Sequence, residues 1–419
     1  MLMKVNRVEQ HRIRKNNKNW KLIDSLCFKS KNVYNYGNYI IRQEFIITSK
    51  EKQQGLRENA NWIQYNELFK LVKGSEPYKD MGSNVGQATL RKLNQNWVSY
   101  FKSIKDWNKN PNKYKGMPRI PTYLPKDGRY ELDIDNIKFR IVDACIYFSW
   151  TPLKILNNTY YTKISSDSKL IQCRFVPKGD DYIMEIIYEI EVPDICSDTE
   201  RIASIDLGVD NLLTITNNCG LQPLIINGRP LKSINQYYNK ELAKQKSMLK
   251  TKNDKDWSNK LQRLTTKRNN KVCDYIHKAT KMIVDYCLDN NIDTLVCGYN
   301  QGWKQESNMG KVSNQKFIQI PYKTLVDKLT YKCENVGIIF KTTNESYTSG
   351  TSFLDRETPV KENYDKERRK YRGLFISNSG TEINADVNGS YQIMVKAFPN
   401  SFEDGIEGVG CHPIRVNLI

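Results

Sequence analysis

Histidine is nearly absent, with three in 419 residues: His11, His277 and His412. That leaves histidine-rich zinc sites and histidine-based proton transfer poorly supported. Cysteine occurs ten times, but no two form a CxxC pair and several fall on apolar faces, which predicts reduced core thiols rather than a disulfide frame. No apolar run is long enough to cross a bilayer, and residues 1–15 lack the apolar core of a signal peptide. A cytoplasmic protein with no membrane partner is expected. Repeats and low-complexity tracts are missing too. Acidic residues are the last shortage: 46 Asp+Glu stand against 65 Lys+Arg, a net charge of +19. Solubility alone is the bland explanation, but an excess this large, spread along the chain, points to a polyanion. The 25 tyrosines can stack on bases or sugars, so nucleic acid is the favoured partner.

The hydrophobic pattern changes period along the chain. Residues 5–14 suggest a strand or a basic arm. From Trp20 to about Trp107 the spacing is helical, with Val33, Tyr36, Ile40 and Phe45 on one stripe and Leu90, Leu93, Trp97, Phe101 and Ile104 on another. The Pro/Gly/Lys-rich run NKNPNKYKGMPRIPTYLPKDG then marks a seam. Between Arg129 and Val192 the period drops to two, and Leu170–Phe175 and Tyr182–Ile190 flank a hairpin turn. Closure of these strands into a small antiparallel barrel or sandwich is expected. From Arg201 onward come three strands, a long basic helical stretch with Val272, Ile276, Ala279, Ile283 and Cys287 in line, and alternating strands and helices. That order predicts a mixed α/β sheet of ribonuclease H type. The fold class is multidomain α+β, with boundaries at 1–15, 16–111, 112–198 and 199–419, a helical insertion at about 235–289 included in the last.

Two acids stand out. Asp206 ends an apolar run in RIASIDLGVDNLLTIT, where Gly208 assists a hairpin turn. Asp386 stands in INADVNGSYQI just before a helix carrying Val387, Tyr391, Met394 and Phe398 on one face. Each has an ordinary alternative, a turn aspartate for Asp206 and a helix N-cap for Asp386. Buried carboxylates are costly unless paired or bound to a cation, so two in such settings suggest a metal site. Asp210 reads as part of the hairpin turn.

These strings, with IINGRPLKSINQYYNKELAKQKS, CGYNQGWKQ, NQKFIQIPYKTLVDKLTYKCENVGI, NESYTSGTSFLD and RGLFISNSGTEINADVNGSYQI, cover about half the chain. In that order they resemble the TnpB family of transposon-encoded RNA-guided nucleases, related to type V CRISPR effectors. The resemblance implies a helical recognition lobe (16–111), a β-barrel wedge domain (112–198, with strand 1–15) and a RuvC-like nuclease domain (199–419). It implies three metal-binding acids, Asp206 being the first and Asp386 the third. Many relatives place the second at the end of the strand read here as TLVCGYN, where this chain has Gly298. Asp293 and Glu306 lie nearest in sequence. Glu345, at the next strand end, is the better candidate, because neighbouring strands lie about 5 Å apart; a family branch with an NExYTS string is similar. The alternative for Glu345 is an exposed loop residue.

The family's four zinc-binding cysteines correspond to Ser352, Asp355, Ile376 and Ser379, so no structural zinc is expected across about 350–382, which packing or nucleic acid would hold instead. Lys304 and Gln305 are candidates to touch nucleic acid beside the metal site, with Lys267 and Arg268 on the basic helix; Trp303 reads as a cap on the sheet edge. Oxygen ligands favour Mg²⁺ or Mn²⁺. The implied activity is two-metal hydrolysis of DNA by a monomer carrying a transposon-derived guide RNA. The protein would read only a short motif beside the double-stranded target. A guide-directed binder that has lost catalysis and a small type V effector are the competing readings.

Overall fold

The computed structural model describes residues 2–193, 200–300, 302, 310–371, 373–403, 405–406 and 409–418. The chain divides into two compact units, Lys4–Glu191 and residues 1–3 with 192–419. Among the described residues no helix is long and apolar enough to cross a membrane.

The first unit is built on strand β1 (Leu2–Ile13), helices α1 (Trp20–Gln53), α2 (Tyr65–Val72), α3 (Glu76–Met81) and α4 (Ser83–Lys109), and strands β2 (Leu132–Asp135), β3 (Phe139–Val142), β4 (Cys145–Phe148), β5 (Leu170–Lys178) and β6 (Asp181–Pro193). Helix α1 buries Ile23, Leu26, Cys27, Val33, Tyr34, Gly37 and Ile41. This stripe differs from the expected one: Tyr36 points outward, and Ile40 and Phe45 are only partly covered. Gly37 sets the register with α4, since a Cβ there would fall 2.9 and 3.0 Å from the Leu90 and Leu93 methyls. Trp97 of α4, fully buried, donates its indole N–H to Asn38 Oδ1 at 3.0 Å. The Pro-rich seam is clamped along α1. Asn35 exchanges two hydrogen bonds with the Leu124 backbone, and Asn38 and Arg42 donate to Pro121 O.

The strands run in the order β1-β6-β5-β2, and β3 pairs only with β4. Among the described residues this is an open sheet with a separate ribbon, where a closed barrel was expected. The helices supply the cover that closure would have given: Ile23, Leu26, Leu90 and Trp97 share one apolar cluster with Leu132, Phe139, Phe148 and Phe175. For the same reason the Pro-rich seam does not separate a helical core from a β core.

The second unit holds β7 (Ile202–Leu207), β8 (Asn211–Asn217), β9 (Leu224–Asn227), α5 (Arg229–Asn253), α6 (Asn259–Asp289), β10 (Thr294–Gly298), α7 (Lys311–Ile318), α8 (Tyr322–Glu334), β11 (Ile339–Thr343), β12 (Leu374–Ile376), β13 (Glu382–Asn384), α9 (Ala385–Ala397) and β14 (Ile414–Val416). Its sheet runs β11-β10-β7-β8-β9-β14. The first three strands form an antiparallel meander, β10 and β11 join parallel to β7, and β14 lies parallel to β9. This is the mixed sheet expected from the sequence, with β14 as an unforeseen edge. Val272, Ile276, Ala279, Ile283 and Cys287 are buried on α6, and with Leu325, Leu329 and Cys333 of α8 they belong to the core of this sheet.

Asp133 on β2 is an exception to good pairing. It is buried, its Oδ1 has no partner, and burial pushes its carboxyl from 3.8 up to about 6, with Glu131 adding to the rise and Lys92 opposing it. A raised carboxyl favours the protonated folded state, so its cost is absent below 3.8 and complete above about 6. Asp133→Asn is therefore expected to stabilise the protein by up to roughly 3 kcal/mol at neutral pH and by nothing near pH 4. Urea unfolding at the two pH values checks this; equal effects at both would refute it.

Candidate active site

Asp206, the next-to-last residue of β7, is held in place by the turn that follows it. A Cβ on Gly208 would lie 2.2 Å from the Asn211 carbonyl oxygen, so only glycine lets β8 return this tightly. Tyr322 of α8 donates its hydroxyl to Gly208 O at 2.8 Å from below. Asp210 lies in the turn, as expected, and pairs with Lys232 at 2.9 Å.

Helix α9 crosses β7 and β8 where its residues are small. A Cβ on Gly389 would stand 3.2 Å from Asp206 Oδ2. The next residue, Ser390, is buried and joined to Ser204 and Thr216 in a hydroxyl cluster with contacts of 2.7–3.2 Å. This docking brings the first turn of α9, and Asp386 with it, over the end of β7. The N-cap is Asn384, whose Oδ1 accepts from the amides of Asp386 and Val387. The alternative role of Asp386 as N-cap is thus taken by its neighbour, and its carboxylate is left to face the cavity. Asn211 Nδ2 donates to Asp386 Oδ2 at 2.6 Å, and Arg369 donates to Oδ1 at 3.0 Å.

Glu345 arrives from the far side of β10. Gly298 of β10 is paired in register with Thr343 of β11, two residues before Glu345. The Glu345 amide donates to Asn300 Oδ1 at 3.2 Å, and its carbonyl accepts from the Thr348 hydroxyl at 2.8 Å. A Cβ on Gly298 would sit 3.3 Å from Glu345 Cβ and 2.5 Å from Ile393 Cδ1. The space a side chain at 298 would use is therefore already filled.

All three carboxylates line one cavity of about 600 Å³, together with Arg229, Arg369 and Arg415. Burial lifts the Asp206 carboxyl well above its usual value; the Asp386 and Glu345 carboxylates add to the rise and Arg369 opposes it. Burial also pushes Glu345 up to about 7. Among the described residues no side chain donates a hydrogen bond to Asp206, and no three acids, histidines or cysteines converge into a ready metal cage. The donor set nevertheless suits a hard divalent cation: it is all oxygen, two members, Asp206 and Glu345, lack a side-chain donor, and like charges in one cavity disfavour one another.

The remaining sequence candidates lie elsewhere. Lys304, Gln305, Trp303 and Glu306 fall outside the described residues. Lys267 is exposed on α6. Arg268 ties α6 to its neighbours, donating to Asn235 Oδ1 and Gln319 O at 2.7 Å and lying over the Tyr238 ring. In place of thiolates, the 350–382 segment is joined by polar bonds. Asn378 N donates to Asp355 Oδ2, Asp355 N to Ser352 Oγ, and Arg368 pairs with Glu357 at 2.7 Å. Packing contributes through Phe353, Phe375 and Ile383. Sequence reasoning missed Asn211, Asn300, Arg369, Arg229 and Arg415. Asn211 stands inside the Asp206 motif and could have been weighed; the arginines carry no local signal.

Two family models match parts of the chain: OrfB_IS605, a probable transposase, over residues 185–304, and the Cas12f1-like TNB domain over 322–393. A curated relative, the TnpB-like protein ORF457 of Acidianus two-tailed virus, is 21% identical over 408 residues, covering 88% of this chain and 81% of the relative. The chain is similar to the TnpB family. Similar solved structures include the Cas12f1–sgRNA–target DNA complex (TM-score 0.36, 14% identity, 92% of this chain and 98% of that one). Another is the mini-RNA-guided endonuclease Cas_phi3 (TM-score 0.46, 10% identity, 94% and 92%). Within this chain, Gly298 and Glu345 form a complementary pair. Gly298→Ala is expected to cost about 1–3 kcal/mol by overpacking against Ile393. Ile393→Val in the same chain should recover part of that loss in urea unfolding, and additive losses would contradict the contact.

Proposed function

We propose that this chain is an RNA-guided DNA endonuclease that hydrolyses phosphodiesters in the cavity lined by Asp206, Glu345 and Asp386. One observation carries the reading. Three acids from positions 206, 345 and 386, each half-buried, are brought to one cavity where the Asp386 and Glu345 charges add to the cost of ionising Asp206. A structural role gives no reason to collect them there.

Asp206, Glu345 and Asp386 would hold Mg²⁺ or Mn²⁺, which when bound supplies an activated water and relief of charge at the leaving oxygen. The chain's own groups prepare that state. Asn211 fixes the rotamer of Asp386 through its amide. Arg369 balances charge at Asp386 Oδ1 and is placed to follow a phosphate. Asn300 and Thr348 set the backbone from which Glu345 reaches over β10. The helices and sheet of the first unit would serve as recognition lobe and wedge. There a transposon-derived guide RNA is gripped by its backbone and a short motif of the target duplex is read. The net charge of +19 fits backbone contact of this kind.

A guide-directed clamp without catalysis is the second reading. It is favoured by the fact that Arg369 and Asn211 already occupy both oxygens of Asp386. Cleavage of a plasmid matched to the co-purifying RNA, in Mg²⁺ or Mn²⁺, separates the two. Asp206→Ala, Glu345→Ala and Asp386→Ala are each expected to reduce cutting to background with target binding intact. Full activity in Glu345→Ala would remove it from the ligand set, and binding without any nicking by the unaltered protein would favour the clamp.

A further inference from the structure

Several arginines elsewhere in the structure pair with acids, Arg12 with Asp181, Arg129 with Asp24, Arg174 with Glu185 and Arg368 with Glu357, while Arg42 and Arg268 donate to neutral oxygens. At the cavity, Arg369 pairs with Asp386 and Lys232 with Asp210. Arg229 and Arg415 stand apart by their place beside three acids. Both line the cavity and both are exposed, yet among the described residues neither has a carboxylate partner. Facing acids but not pairing with them, they leave two guanidinium groups open to an anion from outside.

We infer that Arg229 and Arg415 form a phosphate-binding pair that seats a single nucleic-acid strand across the carboxylate cavity. The inference rests on the nuclease reading above and names how the substrate strand is held. The two arginines come from separate elements that are rigidly joined. Arg229 opens α5 directly after β9, and Arg415 is the middle residue of β14, the parallel neighbour of β9. Asn227 Nδ2 donates to Asn417 Oδ1 at 2.8 Å, tying the two strand ends together. A Cβ on Gly228 would lie 2.2 Å from Val209 O, so the start of α5 is pressed against the turn after Asp206. Arg415 donates to Asn211 Oδ1 at 3.2 Å, and the other end of that amide holds Asp386. The guanidinium fork is thereby aimed beside the catalytic acids, in a geometry suited to two phosphate oxygens. Guanidinium contacts to phosphates position a backbone and do not select its sequence.

The test measures binding and does not depend on cutting. The full chain, carrying the RNA with which it purifies, is titrated against a short fluorescent oligothymidylate in EDTA at several salt concentrations. An oligouridylate arm shows whether DNA or RNA is preferred. Arg229→Ala and Arg415→Ala are each expected to flatten the slope of log affinity against log salt by about 0.7 and to weaken low-salt binding roughly tenfold. Arg229→Lys and Arg415→Lys should keep the slope, because the charge is retained. Arg140→Ala, at an exposed arginine on β3, should leave both quantities unchanged. Wild-type slopes in both alanine variants, or the same loss in Arg140→Ala, would overturn the inference. A protein that shows the arginine-dependent slope but never nicks its plasmid would uphold the pair and sink the nuclease reading alone.

Discussion

The seating of α9 on the first two strands of the second unit governs this molecule. Asp386 reaches Asp206 only because the helix comes close, and it comes close only because Gly389 and Ser390 are small at the crossing. Bringing carboxylates together costs free energy through desolvation and mutual repulsion. The hydroxyl cluster of Ser204, Thr216 and Ser390 and the apolar contacts of Val387, Tyr391, Ile393 and Met394 offset that cost. The acids are therefore held near one another by a well-packed support that does not itself take part in chemistry.

The same support explains the placement of the third acid. Ile393 of α9 fills the space over Gly298, so the end of β10 has no room for a side chain. A carboxylate must then come from the adjoining strand. Glu345 does so with its backbone fixed by Asn300 and Thr348. Steric exclusion at one strand end and supply from the next are two sides of one packing solution. Arg369 and Asn211 complete it by satisfying the oxygens of Asp386. Beyond the acids, hydrogen bonds and the Arg368–Glu357 pair hold the 350–382 segment together.

In the first unit the helices α1 and α4 and the sheet share one apolar cluster, in which Trp97 is buried and hydrogen-bonded to Asn38. Sequence periodicity located both helices and the β5–β6 hairpin, because local spacing of apolar residues survives whatever the partner. It misplaced the α1 stripe around Tyr36, since a 34-residue helix touches different neighbours along its length. Barrel closure was also misjudged. Alternation along a strand shows which face is covered, but not whether a helix or another strand covers it.

By itself the sequence determined the alternating elements of the second unit, the buried face of α6, and the motifs around Asp206 and Asp386, because each is written in contiguous residues. Glu345 was legible only as a candidate, through the empty position at Gly298. Tertiary structure alone decided that β14 adds to the sheet edge and that Arg229, Arg369 and Arg415 meet in the acid-lined cavity. The physical reason is reach. A periodic pattern reports on neighbours within a few residues, whereas a charge in a cavity is set by groups that the fold brings from elements far apart in sequence.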